Sequence, residues 1–293
     1  MSSYTPKKAL IVGTVRNAEK NVSQDVKRLL SAIEDSIPAQ VFIVESDSND
    51  ATVKSLESLA SDDSRVEFVS LGAIAPTIPD RIERLRYCRN RYIDEIRKNP
   101  KYQDCDIIVI ADLDGINTKV TANSFKNAFS VEIPWDVLAA NQTKRYYDIL
   151  ALRHPAWSPN NWINEFEWMK TFVGKDRALK HSMVDRMIRI PPNGDPIKVD
   201  SAFGGLCIYK RWVLDRCDYR DGWVDEIDHV TLNRRAVEQG AEIYIIPDFI
   251  NSAWTNHSLN SLATMRLVKK VIALLPLKRV NPLFHALFNH LAK

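Results

Sequence analysis

Short apolar runs alternate with longer amphipathic stretches along the first half of the chain. Ala9 to Val12 and Val41 to Val44 are short and wholly apolar, Val66 to Leu71 is mostly so, and Ile107 to Ala111 is again unbroken. A short run with no polar alternation reads as a strand buried on both faces, as in a parallel sheet. Between these runs the period changes. Val22, Val26, Leu29, Leu30 and Ile33 recur on one face of a helix that Pro38 closes, and Val53, Leu56 and Leu59 mark the inward face of a second. A third helix is expected over Arg81–Arg97, and a later one over Thr231–Gln239, followed by Gly240 and a strand ending at Pro247. Strand and helix in alternation predict an α/β fold built on a mostly parallel sheet flanked by helices.

The ends of the predicted strands carry the chemistry. The fourth run stops at Asp112-Leu113-Asp114-Gly115, where two carboxylates stand two residues apart and a glycine lets the backbone turn. In open α/β sheets ligands bind at the carboxyl ends of the strands. Two such carboxylates can share one hard cation, Mg²⁺ or Mn²⁺, with substrate phosphates completing the shell. Asp and Gly are equally ordinary in a solvated turn. After the second strand, Glu45 and Asp47 could accept from a base N–H or a ribose hydroxyl, while Asp50 or Thr52 caps the next helix. The third predicted helix carries Arg81, Arg84, Arg86, Arg89 and Arg91, most of them expected to face solvent, with Arg89 the exception.

Composition narrows the class. The chain has 293 residues, 45% hydrophobic and 26% charged, enough for a sizeable core. No apolar run approaches the ~20 residues of a membrane-spanning helix. Cys88, Cys105, Cys207 and Cys217 show no metal-binding spacing and read as buried thiols of a reducing compartment, which points to the cytoplasm. The net charge of +3 is uneven: no acidic residue follows Asp248, and the segment from Leu262 holds six Lys or Arg. The remainder, with 34 basic against 37 acidic residues, is slightly acidic. Its basic residues are not interleaved with aromatics, which disfavours nucleic acid as a partner.

Two further stretches stand out. His154 to Trp168 places Trp157, Trp162 and Trp168 among Asn and Glu, the composition of a carbohydrate-contacting surface, although aromatic residues also build cores. Trp157, between Pro155 and Pro159, is the better loop candidate; for Trp168 core and surface are equally open. From Leu262, Leu267, Val268, Val271, Ile272 and Leu275 are helix-spaced opposite Arg266, Lys269 and Lys270. After Pro276, Phe284, Leu287, Phe288 and Leu291 resume the pattern. A basic amphipathic helix of this kind suits an anionic membrane surface, or docks on the body of the protein.

Taken in order, these segments resemble GT-A glycosyltransferases. The resemblance rests on Val15-Arg16-Asn17-Ala18-Glu19-Lys20-Asn21, Glu45 to Thr52, Arg89-Asn90, Asp112-Leu113-Asp114, Phe203-Gly204-Gly205 and Asp225-Glu226-Ile227-Asp228-His229. In texture it is similar to capsule-type mannosyltransferases and related bacterial surface-glycan enzymes. It implies a GT-A domain over residues 1–258, with a nucleotide-binding half to about 118 and an acceptor-side half from 119, followed by the basic tail 259–293. It further implies a UDP- or GDP-sugar donor held by Thr14, Arg16, Asn17, Glu45, Asp47, Arg89, Asp112 and Asp114. Mn²⁺ or Mg²⁺ would sit at Asp112 and Asp114, with His257 as a third ligand. A glycan or lipid-linked acceptor would lie near Trp157, Trp162, Gly204 and Gly205. Glu226 or Asp228 would be the catalytic carboxylate of an inverting reaction, or would position the acceptor in a retaining one. The implied setting is surface polysaccharide or lipopolysaccharide synthesis on the inner face of the membrane.

Two other classes compete. Asp112-Leu113-Asp114-Gly115 also matches the opening motif of haloacid-dehalogenase-type phosphohydrolases, but that motif normally begins the fold, and here three strand–helix units precede it. A non-catalytic sugar or nucleotide binder would need only the Glu45 and Trp-rich regions, leaving the paired aspartates unexplained.

Overall fold

Residues 4–222 and 226–253 are described by a computed structural model. Strands β1 (Ala9–Val15), β2 (Ala39–Glu45), β3 (Val66–Ser70) and β4 (Ile107–Ala111) pair in parallel in the order β3-β2-β1-β4. The sheet continues through β7 (Leu206–Lys210), β5 (Val137–Gln142), β8 (Ile243–Ser252) and β6 (Ile197–Val199), eight strands in all. Strand β7 runs antiparallel to both β4 and β5, and β6 antiparallel to β8, while β5 and β8 are parallel. The sheet is therefore mixed and mostly parallel, not uniformly parallel.

Successive residues of each strand feed two cores. Leu10, Val12, Ile108 and Ile110 face the one covered by α3 (Arg81–Lys98), α7 (Arg211–Arg216) and α8 (Asp228–Glu238). Ile11, Val109 and Ala111 face the other, under α1 (Val22–Glu34), α2 (Thr52–Asp62) and α4 (Ala122–Phe129). Covering both faces is what makes these strands continuously apolar. Each fully buried Ile or Val contributes roughly 1.5–3 kcal/mol over leaving it in water. All five apolar positions predicted for α1 are buried, as are Leu56 and Leu59 of α2, whose Val53 is only half-buried.

Several expectations are corrected. Arg86 faces inward, 8% exposed, because its guanidinium reaches across α3 to the Glu226 carbonyl at 2.8 Å and to the Glu83 carboxylate. Helix α8 begins at Asp228, not Thr231. Strand β8 does not end at Pro247 but runs on to Ser252, with irregular pairing against Asn141 and Gln142. The Asn141 side-chain amide donates to the Pro247 carbonyl at 2.9 Å across that irregularity. The long excursion between β5 and β7 holds α5 (Trp162–Val173) and α6 (Lys175–Leu179). The four cysteines are free and buried. Among the described residues no helix is long and apolar enough to cross a membrane. The basic tail lies outside the described residues.

Candidate active site

The carboxyl ends of β1, β2 and β4 open on one edge of the sheet, and the antiparallel β7 brings its first residues to the same edge. Leu206 pairs with Ala111, so Gly204-Gly205 lies directly against Asp112. The Asp112 amide donates to the Gly205 carbonyl at 3.0 Å. Both glycines are in the left-handed region, φ +71° and +80°, and a Cβ on Gly204 would stand 2.6 Å from the Ala140 carbonyl oxygen. Only glycine fits so close an approach without strain. Behind them, Asn251 donates to the Asn117 side chain and to the Gly204 carbonyl, each at 2.8 Å, and Asn117 donates to the Asp112 carbonyl at 2.7 Å.

Asp112 is half-buried and Asp114 exposed. Burial, and then the neighbouring charge of Asp114, push the Asp112 carboxyl up to about 8, with Asp148 and Asp228 adding to the rise and Arg89 opposing it. Asp148, in the loop after β5, accepts from the Gly204 amide at 2.9 Å, and burial raises its carboxyl too. Asp148 belongs to no motif of the sequence: it stands six residues past the end of β5, in an irregular loop. Arg89 is the positive charge of this group. It forms an ion pair with Asp228 in which the two side chains are 9% and 4% exposed, and its guanidinium lies 5.6 Å from the Tyr219 ring centroid. Next to Asp228, His229 stacks on Phe203 at 3.7 Å between centroids, and its Nε2 is buried with no hydrogen-bond partner among the described residues. Burial and the Arg89 charge hold its pKa well below 6.5.

On the β1–β2 side, Thr14, Val15, Arg16, Ser46, Asp47, Arg81, Arg84, Leu85 and Cys88 line a cleft of about 270 Å³. Asp47, which lines it, and Asn17, next to the lining Arg16, both have positive φ. The Asn17 side chain accepts from the Asn49 amide at 2.9 Å, and Asp47 from the Ala75 amide at 2.8 Å. Arg16 is exposed and donates to the Asp47 carbonyl at 3.2 Å. Glu45 does not line the cleft. It is 1% exposed, and its oxygens take the Ser48 amide, at 3.0 Å, and the Ser70 hydroxyl. Its carboxylate shapes the loop and is not presented to a base.

Glu226 pairs with Arg153, and its side chain is 23% exposed. Trp157 is half-buried, donates from its indole to the Arg186 carbonyl at 2.6 Å and packs on the core; Trp162 opens α5 and also packs on the core. Trp168 is 67% exposed, which settles it as surface. His257 lies outside the described residues. Among the described residues no group of three or more His, Cys, Asp or Glu side chains is gathered as a metal cage. Two carboxylates, one of them raised by burial and then by the charge of the other, nevertheless suit a divalent cation completed by substrate phosphates.

Comparison with solved structures places this architecture. The fold is the GT-A fold. A mannosyltransferase from Pyrobaculum calidifontis, in complex with GDP-mannose and Mn²⁺, matches 90% of this chain with a TM-score of 0.50 at 14% identity. The chain spans 65% of the length of that enzyme's chain. Glucosyl-3-phosphoglycerate synthase from Mycobacterium tuberculosis, in complex with UDP, matches 89% of this chain and 76% of its own, at 13% identity and a TM-score of 0.45. Mannosyl-3-phosphoglycerate synthase from Rubrobacter xylanophilus matches 91% and 74%, at 12% identity and 0.43. No family model matches the chain, and no curated protein does. The cleft beside β1 and β2 and the Asp112 turn after β4 lie at the carboxyl ends of parallel strands, along the same edge of the sheet.

Proposed function

We propose that the chain is a nucleotide-sugar-dependent glycosyltransferase assisted by Mn²⁺ or Mg²⁺ at Asp112 and Asp114. The observation that carries this reading is the meeting, at one sheet edge, of the paired aspartates, the Gly204-Gly205 turn and the cleft lined by Thr14, Arg16, Asp47, Arg81 and Arg84. The cleft takes the nucleoside, and the exposed guanidinium groups of Arg16 and Arg81 offer charge to the diphosphate. A bound divalent ion supplies Lewis acidity to the departing nucleoside diphosphate. Gly204 and Gly205 let the chain pass close to Ala140 and Tyr147, and so hold the backbone that pairs with Asp112 in place.

The acceptor, a glycan or a lipid-linked sugar, approaches from the side of Asp148, Glu226, Trp157 and Trp162. Of the two carboxylates proposed for proton removal, Glu226 is the one with access to solvent; Asp228 is 3% exposed and held by Arg89. An inverting reaction then places the base at Glu226, a contribution of roughly 10²–10⁴-fold, and the Arg153 contact orients it. In a retaining reaction the same pair positions the acceptor. Work on surface glycan at the inner membrane face, with the tail from Leu262 as contact, completes the proposal.

A panel of UDP- and GDP-sugars, assayed for donor hydrolysis and transfer with Mn²⁺ and with EDTA, tests this beside a phosphate-ester substrate. Metal-dependent turnover of one nucleotide sugar is expected. Turnover of the phosphate ester alone would favour the phosphohydrolase class.

A further inference from the structure

The turn that carries Asp112 and Asp114 is held from two sides, and the second side is the N-cap Asn21 and the first turn of α1, where Asp25 lies outside every functional motif. From the sheet, Gly205 and Asn117 fix the Asp112 backbone. From α1, the Asn21 side-chain amide donates to the Asp114 carbonyl at 2.8 Å, and the Gly115 amide donates to Asp25 Oδ2 at 2.7 Å. Arg28 donates to the other Asp25 oxygen at 2.9 Å, which fixes the rotation of that carboxylate. Asn21, Asp25 and Arg28 are spaced i, i+4 and i+7, one face of the helix. The Asp25 side chain is 2% exposed, an unusual place for an acid on an otherwise apolar inward face. Gly115 has φ +92°, and a Cβ there would meet the Asn21 side chain at 3.0 Å, so the two pack without a gap.

We propose that Asp25, together with Asn21, is a positioning residue that sets the separation and angle of the Asp112 and Asp114 carboxylates and thereby their affinity for a divalent cation. This rests on the metal-binding reading of that pair. Asp112 leaves the end of a buried strand and has its orientation from the sheet. Asp114, two residues on and exposed, has its backbone orientation from α1. Without the Asp25 and Asn21 bonds the Asp114–Gly115 peptide can rotate, and the two carboxylates lose a common focus. Partners beyond the ligands of a metal site typically change affinity by about 10–100-fold when removed.

The test is titration of the full chain with Mn²⁺ alone, following free Mn²⁺ by electron paramagnetic resonance, for wild type, Asp25→Ala, Asp25→Asn and Asn21→Ala. Hydrogen exchange across residues 112–117 is measured in parallel without metal. Mn²⁺ affinity should fall about tenfold or more in Asp25→Ala and less in Asp25→Asn, which keeps one acceptor oxygen, with faster exchange at Gly115. Should Asp25→Ala fail to fold, Asp25→Asn and Asn21→Ala decide the matter by the same readouts. Affinity within about twofold of wild type in every folded variant overturns the proposal. A wild-type chain that binds no Mn²⁺ overturns instead the metal reading itself, and the positioning role falls with it.

Discussion

Removing Arg89 should destabilise the protein more than removing its partner Asp228. The two side chains form a buried ion pair, 9% and 4% exposed. Breaking such a pair by taking away one member costs roughly 3–5 kcal/mol, because the survivor is left charged in a poor solvent. Here the survivors differ. In Asp228→Asn the guanidinium keeps the face of Tyr219 and can still meet an amide oxygen where the carboxylate stood, so the cost falls at the low end of that range. In Arg89→Met, Asp228 is left buried without its counter-charge, beside Asp112 and Asp148, whose carboxyls its charge already raises, and the cost moves to the high end. At about 2–4 °C per kcal/mol for domains approaching this size, melting should drop by roughly 6–20 °C. Urea unfolding of the metal-free chain, read as midpoint and slope, separates the variants, and the double variant gives the coupling. Should Asp228→Asn unfold at the wild-type midpoint, the pair is not a brace. Activity loss in that stable variant would return Asp228 to a chemical role.

Gly204→Ala should cost roughly 1–2 kcal/mol from the left-handed backbone alone, and more from the Ala140 oxygen at 2.6 Å; Gly240→Ala, with φ +88° and open space, is the control. Equal midpoints for the two in urea would refute the close approach of Gly204 to the Ala140 carbonyl. His229 stays neutral in the fold, with its pKa well below 6.5. As pH falls below about 6.5, the unfolded chain therefore takes up a proton that the folded chain refuses, and stability declines. Thermal unfolding between about pH 5 and pH 7 should show that decline in wild type and a flatter profile in His229→Gln; matching profiles would remove His229 as its source. Truncation after Asn260 should release the protein from anionic vesicles that bind the full chain at low salt, with binding weakened at high salt. Indifference of the full chain to such vesicles would leave the tail without a membrane role.

The first four strands and α1 were legible because burial on both faces leaves a signature in composition and period. Strand direction leaves none. Leu206–Lys210 is as apolar as a parallel strand, and its antiparallel pairing depends on where the chain returns after the α5–α6 excursion. The same limit hid Arg86 and Asp25, whose burial depends on partners remote in sequence: the Glu226 carbonyl for one, the Gly115 amide for the other. Asp112, Asp114, Arg89 and Asp228 were visible from motif order, and the fold brings their charges within reach of one another, with Arg89 and Asp228 buried and Asp114 exposed. Glu45 had the expected residue type at the expected strand end, but neighbouring Ser48 and Ser70 occupy its oxygens. Asp148 was missed because a single carboxylate in an irregular loop carries no spacing to detect.

Equilibrium binding of UDP-sugars and GDP-sugars, by calorimetry with Mn²⁺ and with EDTA, is the most direct measurement for wild type against Asp112→Asn and Asp114→Asn. Wild type should bind one nucleotide class, far more tightly with Mn²⁺ than with EDTA, and each variant should lose the metal-dependent part while keeping its unfolding midpoint. Binding that ignores both the metal and the two substitutions would contradict a metal-assisted donor site at the end of β4.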